Sequence, residues 1–178
     1  MSLKSNIQRV VFNQALKKKT RQNQVKYHPF NLAKTKSFAF LLDISDGKPL
    51  YVQQAIAFAE KLRKRGKEVS LLAYTNAETR TEGQVFDCFC RKDLNWALVP
   101  KGDVVDAFLA KEYDVLINFY FEESKALDFI TRTAAAHFRI GYYDEDRTDL
   151  YDLMVHNPTM DIDTMIRQIE YGMGIINT

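Results

Sequence analysis

The chain has 178 residues, 46% hydrophobic and 27% charged, a composition typical of one globular domain rather than of a collagen-like or repeat protein. No apolar run approaches the roughly 20 residues of a transmembrane helix, and no apolar segment of a secretory signal follows the first lysine. Because Cys88 and Cys90 are the only cysteines, we expect no disulfide framework and a cytoplasmic location.

The charge is distributed unevenly along the chain, although the formal net charge is only +2. Residues 1–36 hold nine Lys or Arg side chains and no Asp or Glu, whereas the rest of the chain holds 16 basic and 23 acidic side chains. We therefore divide the chain into a basic helical extension with a linker, residues 1–36, and a single α/β domain, residues 37–178.

A helix from Leu3 to Lys19 is predicted by apolar residues at helical spacing, and a linker follows from Thr20 to Lys36. The apolar stripe consists of Leu3, Ile7, Val10 and Val11, widened by Phe12 and Leu16. We favour packing of this stripe against the body. Contact of the basic arm with nucleic acid or with an anionic membrane surface is the alternative.

The body then alternates strand and helix. Strands are predicted at Ser37–Asp43, Glu68–Tyr74, Val85–Cys90, Asn95–Val99, Asp114–Phe119, Phe138–Tyr142 and Leu153–His156. Helices are predicted at Tyr51–Arg65, Asp103–Lys111, Ser124–Ala136 and Asp161–Tyr171, with Asp103, Ser124 and Asp161 as N-caps. This alternation predicts a Rossmann-like three-layer sandwich with a mostly parallel five- or six-stranded sheet. We favour the strand order 3-2-1-4-5, with a flavodoxin-like order as the alternative.

Ligands of open parallel sheets bind beyond the carboxyl ends of the strands, near the switch in strand order. Three polar segments fall there, 43–48, 118–124 and 141–147. The candidate ligand-binding residues in these segments are Asp43, Ser45, Asp46, Lys48, Asn118, Glu122, Ser124, Tyr142 and Arg147. The alternative is that these are ordinary turn and cap residues, because turns and caps favour the same residue types.

The recognised motifs of catalysis and cofactor binding are missing. The chain contains no G-x-G-x-x-G, no P-loop and no G-x-S-x-G, and Pro49, which lacks an amide hydrogen, follows the single glycine of the first turn. Two cysteines are too few for a structural zinc site, and the three histidines show no paired spacing. We therefore assign no catalytic residue, no metal ligand and no cofactor.

The string from Tyr113 to Tyr143 resembles a family of short Bacteroidetes proteins that is classed as a domain of unknown function. It is more distantly similar to the N-terminal half of heptosyltransferase-like glycosyltransferases, through Tyr113-Asp114, Ala134–Ala136 and Arg139-Ile140-Gly141. Those enzymes hold their sugar nucleotide with a second Rossmann-like half, and this chain ends at Thr178. Their glycine-rich first turn is replaced here by residues 43–46. The resemblance therefore implies the fold and not the transferase activity.

These observations favour a non-enzymatic α/β module that binds a protein partner, a second copy of itself or a small polar ligand. The first alternative is a transferase-type enzyme with its site among Asp43, Ser45, Asp46 and Glu122. The second is an adaptor for nucleic acid or a membrane surface that acts through the basic arm.

Overall fold

Six strands and five α-helices make up the computed structural model, which describes residues 3–23, 34–45, 49–80, 85–157, 159 and 161–172. In chain order they are α1 (Leu3–Gln22), β1 (Ser37–Asp43), α2 (Pro49–Lys64), β2 (Glu68–Thr75), β3 (Asp87–Cys90), α3 (Asp103–Leu109), β4 (Glu112–Asn118), α4 (Lys125–Thr133), β5 (Ala135–Tyr142), β6 (Leu153–Val155) and α5 (Ile162–Gly172). None of the described helices is both long and apolar enough to cross a membrane.

The sheet has the order β3-β2-β1-β4-β5-β6, and every neighbouring pair of strands is parallel. This confirms the predicted α/β fold and the predicted order, and it excludes the flavodoxin-like alternative. The direction of winding reverses between β1 and β4, which makes the carboxyl ends of these two strands the switch point of the sheet. Residues 38–42 of β1 are fully buried, as the continuous apolar run at this central position requires.

The helices form layers on both faces of the sheet. On one face α2 and α5 pack through Phe58, Leu62, Met165 and Ile169 against Phe40 and other residues of the strands. On the other face α3 and α4 contribute Phe108, Leu127 and Ile130, and α1 is added outside them. The helix α2 ends at Lys64, within one residue of the predicted end. Gly66 follows with a φ of +76°, a left-handed conformation that closes a helix and that glycine adopts without steric cost because it has no Cβ.

The helix α1 packs against the body, as predicted, but only the residues that widen the predicted stripe, Phe12 and Leu16, take part. Phe12, Ala15 and Leu16 contact the core, and the Phe12 ring meets the edge of Phe129 of α4 at 5.5 Å between centroids. Ile7 and Val10 instead remain about half exposed. The body selects the face of α1 that fits against α4, and the apolar residues of α1 are spread too widely around the helix for periodicity alone to identify that face.

The end of α1 is fixed by one polar side chain. Asn23 donates from Nδ2 to the carbonyl oxygens of Leu109 (3.2 Å) and Thr133 (2.7 Å), which belong to the last turns of α3 and α4. These carbonyls have no partner within their own helices, so Asn23 caps both helices at once.

Residues 95–99 do not form the predicted strand. Asn95 Oδ1 accepts the N–H groups of Ala97 (2.8 Å) and Val99 (3.0 Å) and closes a tight turn. Leu98 within this turn has a φ of 63°, in the left-handed region that a leucine rarely adopts. An asparagine that binds its own backbone competes with strand pairing, which explains the difference.

Several further boundaries differ from the prediction by one to three residues; the helix α1, for example, runs to Gln22, into the predicted linker. Gly102, rather than Asp103, is the cap residue of α3. The helix α4 ends at Thr133 and β5 begins at Ala135, three residues before the predicted Phe138. Alanine favours helices, but here Ala135 pairs with Glu112 of β4, and strand pairing outweighs that preference. Ser124 and Asp161 cap their helices as predicted.

Candidate functional site

A cleft of about 390 Å³ lies beyond the carboxyl ends of β1, β2 and β4, at the switch point of the sheet. Its polar walls come from the end of β1, from the start of the loop after β2 and from the N-terminus of α4. They are formed by Asp43, Ser45, Asn76, Glu122, Glu123, Ser124 and Lys125. The structure thus brings together four of the predicted candidates, Asp43, Ser45, Glu122 and Ser124.

The first wall is held by hydrogen bonds that join β1 to β2. Asp43 Oδ1 accepts the N–H of Ser45 at 2.9 Å, which bends the chain immediately after the strand. Ser45 Oγ in turn accepts the N–H of Asn76 at 3.0 Å. The carboxylate and the hydroxyl are therefore positioned by the backbone and are in place before any ligand binds.

The second wall is the start of α4. Ser124 caps this helix, because its Oγ accepts the N–H of Leu127 at 3.5 Å and its carbonyl accepts that of Asp128 at 2.7 Å. Glu122 and Glu123 immediately precede the cap and are exposed. Carboxylates are stabilised at this end of a helix by the positive pole of its dipole.

The described lining of the cleft is acidic, since it contains three carboxylates (Asp43, Glu122 and Glu123) and one ammonium group, that of Lys125. The effect of Asp43 extends to two tyrosines. Burial and then the negative charge of Asp43 raise the pKa of Tyr74, and the same two causes raise the pKa of Tyr51 well above its usual range. The buried hydroxyl of Tyr51 has no hydrogen-bond partner among the described residues.

The third wall is the turn at residues 94–98. Leu98, with its left-handed backbone, lines this cleft and also a neighbouring groove of about 510 Å³ beside α1. Glu123 and Lys125 likewise line both spaces. A strained residue held at such a position is common in binding sites, because strain survives only where the surroundings enforce it.

Two other candidates, Asn118 and Arg147, lie in a buried polar network beneath α4 instead. Thr131 Oγ1 lies 2.9 Å from both Asn118 Oδ1 and the Tyr120 hydroxyl. The Tyr120 hydroxyl donates to Asp128 Oδ1 at 2.9 Å, and Arg147 Nη2 donates to the same oxygen at 2.6 Å. The network therefore links the end of β4 to the segment between β5 and β6.

Arg147 is the charged centre of this network, and only 6% of its surface is exposed. Its guanidinium lies 4.8 Å from the ring centroid of Tyr120, at cation–π distance, and donates to the Tyr151 hydroxyl at 3.1 Å. Its Nε and Nη1 atoms have no hydrogen-bond partner among the described residues. Burial raises the pKa of Asp128, although Arg147 and Tyr120 act in the opposite direction.

The remaining candidates lie elsewhere. Tyr142, at the end of β5, packs edge-on against Phe121 at 5.5 Å and is not among the residues that line the cleft. Asp46 and Lys48 lie outside the described residues. Sequence reasoning missed Asp128, Thr131 and Tyr151, which sit inside or after a helix. The only signal for them was polarity on an otherwise apolar helix face.

The match to a known family covers nearly all of this architecture, because the family model extends over residues 8–175. The protein belongs to DUF6913, a family of unknown function. The matched range of this DUF6913 chain includes most of α1 together with the whole sheet. No curated protein and no solved structure matches the chain.

Proposed function

We propose that the protein is a binding module for a small organic molecule rich in hydroxyl or amine donors, which it holds in the cleft at the switch point. The observation that carries this proposal is that three carboxylates, Asp43, Glu122 and Glu123, line one cleft, where Lys125 is the single cation among the described lining residues. Carboxylates accept hydrogen bonds and donate none when ionised, so they select ligands that donate.

Charge argues against a bare phosphate in this cleft, because three carboxylates would repel it. A divalent metal has less support than an organic ligand. The described residues contain no group of three or more His, Cys, Asp or Glu side chains arranged to hold a metal ion. Ser45 and Ser124 add hydroxyls that can donate or accept, which suits a polyol or a polyamine better than an ion.

We also propose that the family is one of Bacteroidetes proteins, and that the likeness to heptosyltransferase-like enzymes is one of fold and not of activity. The residues that carry the likeness have structural contacts here. Asp114 Oδ2 accepts the N–H groups of Lys36 (2.7 Å) and Ser37 (2.9 Å) and so joins β4 to the start of β1. Arg139 binds carbonyl groups of α4.

A cytoplasmic location remains part of the proposal. Cys88 and Cys90 are both buried and neither forms a disulfide, as is usual in a reducing compartment.

The test is calorimetric titration of the protein with spermidine and with sorbitol, repeated on Asp43→Asn and Glu122→Gln. Asparagine at position 43 keeps an oxygen for the N–H of Ser45, so the cleft wall stays in place while the charge is lost. We expect saturable one-to-one binding of at least one probe, weakened about tenfold by each substitution, since a charge-assisted hydrogen bond contributes about 1.5 kcal/mol.

Glu145→Gln is the matched control, because Glu145 is an exposed carboxylate that does not line the cleft. It should leave the affinity unchanged. Absence of saturable binding for both probes, or equal weakening by Glu145→Gln, would rule out the proposal. Turnover of a bound probe would support the transferase-type alternative instead.

A further inference from the structure

Another cleft, of about 520 Å³, lies against the C-terminal half of α1 and, unlike the acidic cleft, has an excess of basic side chains in its lining. The C-terminal half of α1 forms one wall with Lys17, Thr20 and Arg21. The opposite wall comes from α4, β5 and the segment before β6, and it carries Arg132, Arg139, Asp149 and Asp152. The lining of this cleft therefore contains four basic side chains and two carboxylates.

Both carboxylates are already engaged by the protein. Arg132 binds Asp149 through two parallel hydrogen bonds, of 2.7 and 3.1 Å. Asp152 Oδ2 accepts the backbone N–H of Arg139 at 2.8 Å. Among the described residues, no ion pair within 4.0 Å involves the side chains of Lys17, Arg21 or Arg139, so the excess positive charge of this cleft lies on these three.

Arg139 is held rigidly on its wall. Its Nε donates to the carbonyl of Thr131 at 3.0 Å and its Nη2 to that of Ala134 at 2.9 Å, which caps the last turn of α4. Burial lowers the pKa of Arg139, opposed by the charge of Asp152. The partly buried guanidinium is therefore fixed in orientation by its two carbonyl partners, as in a preorganised anion site.

We propose that this cleft binds a small phosphate-bearing anion between the fixed guanidinium of Arg139 and the side chains of Lys17 and Arg21 on α1. Leu16, Leu150 and Tyr151 also line the cleft and offer an apolar surface to an organic group attached to the phosphate. The basic extension then contributes one wall of the binding site and the body contributes the other, so both are needed to surround the anion. The proposal is independent of the acidic cleft, which lies at a different place.

A recessed small-molecule site fits better than a nucleic-acid track. Lys4 and Lys18 on the same helix are exposed but do not line the cleft. Only some of the cations of α1 therefore lie opposite the wall that Arg139 belongs to. A nucleic-acid backbone is bound more tightly by a long track of cations, because counterion release grows with the number of phosphates neutralised, whereas the α1 cations that line this cleft are confined to Lys17 and Arg21.

The experiment compares two double variants of the full chain that remove the same charge from the same helix. Lys17→Gln/Arg21→Gln removes two cations of the cleft, and Lys4→Gln/Lys18→Gln removes two cations outside it. Each protein is titrated calorimetrically with inorganic pyrophosphate at constant ionic strength. We expect one-to-one binding to the unmodified protein, at least tenfold weaker binding to the first variant, and less than a twofold change in the second.

The same proteins are also titrated with a short oligothymidylate and with phosphatidylserine vesicles. The proposal would be overturned in favour of nucleic acid or a membrane if the protein bound the oligothymidylate or the vesicles but did not bind pyrophosphate. If the two double variants weakened pyrophosphate binding equally, the binding would depend only on the total charge of the helix, and the proposal would be overturned. Asp43→Asn should not alter pyrophosphate binding, which separates this result from the test of the acidic cleft.

Discussion

The face of the sheet under α2 and α5 differs in kind from the face under α1, α3 and α4. The first is dominated by aliphatic and aromatic side chains, with Phe40 stacked on Phe58 at 5.3 Å and edge-on to Phe119 at 5.1 Å. The second is also apolar near α3, but towards the carboxyl ends it contains the buried network centred on Arg147 and Asp128. The stability of one face of the sheet therefore depends on the volume of its apolar side chains, and that of the other face also depends on the pairing of buried polar groups.

The comparison teaches where changes in sequence are tolerated. Apolar packing responds to the volume removed, and similar side chains can replace one another at small cost. A buried charge pair responds to the loss of either partner, because the remaining charge is left without compensation. The face that carries the network is also the one that lines the cationic cleft, through Tyr151 and the segment that Arg147 anchors.

The largest effect is expected on the apolar face, from Phe40→Ala. Phe40 is fully buried between two aromatic rings, so its truncation should lower the free energy of unfolding by about 4 kcal/mol. Urea denaturation measures this loss. Phe40→Leu, which keeps most of the volume, should lose less than about 2 kcal/mol. A similar loss for both variants would show that this face also requires a specific geometry.

Breaking the charge pair on the other face should cost somewhat less. Arg147→Ala leaves the mostly buried Asp128 without its guanidinium, and we expect a loss of about 3 kcal/mol in the free energy of unfolding. Arg132→Ala removes an arginine from a more exposed pair, with Asp149, and should lose less than about 1 kcal/mol. Equal losses in the two variants would mean that burial does not distinguish these pairs.

The loss caused by Arg147→Ala should also depend on pH. Burial already raises the pKa of Asp128 in the folded protein, and removal of Arg147 raises it further. A carboxyl group whose pKa is higher in the folded than in the unfolded state destabilises the protein when ionised, and this effect disappears as the pH falls towards about 4. The gap between Arg147→Ala and the unmodified protein should therefore narrow on acidification, as measured by denaturation at several pH values.

The smallest of these effects is expected from a single methyl group. A Cβ on Gly141 would lie 2.3 Å from the ring of Tyr151, so Gly141→Ala must displace this ring from β5. We expect a loss of about 2 kcal/mol, the usual cost of overpacking. Gly172→Ala, where a Cβ meets nothing within 4 Å, is the control and should change the melting temperature little. An unchanged melting temperature for Gly141→Ala would show that the network tolerates a shift of Tyr151.

The acidic cleft could be anticipated further than the network. Asp43, Ser45, Glu122 and Ser124 follow strands or begin a helix, and topology places such positions at one edge of a parallel sheet. Asn118 ends a strand in the same way, but its side chain points under α4, where Thr131 binds it. Successive side chains of a strand point to opposite faces, so a shift of one residue decides whether a side chain at the strand end faces the cleft or the core. The sequence does not locate the end of a strand to within one residue.

The sequence by itself determined the order of the principal helices and strands, because buried strands and amphipathic helices have periods that can be read from one chain. It also revealed the basic extension, since charge is a matter of composition. Tertiary structure alone decided which face of α1 is buried, where β5 begins and which polar groups meet beneath α4. Each of these depends on partners far away in sequence: Phe129 for Phe12, Glu112 for Ala135 and Asp128 for Arg147. Local pattern describes what a segment prefers, whereas a contact also requires a surface of complementary shape and charge on another segment.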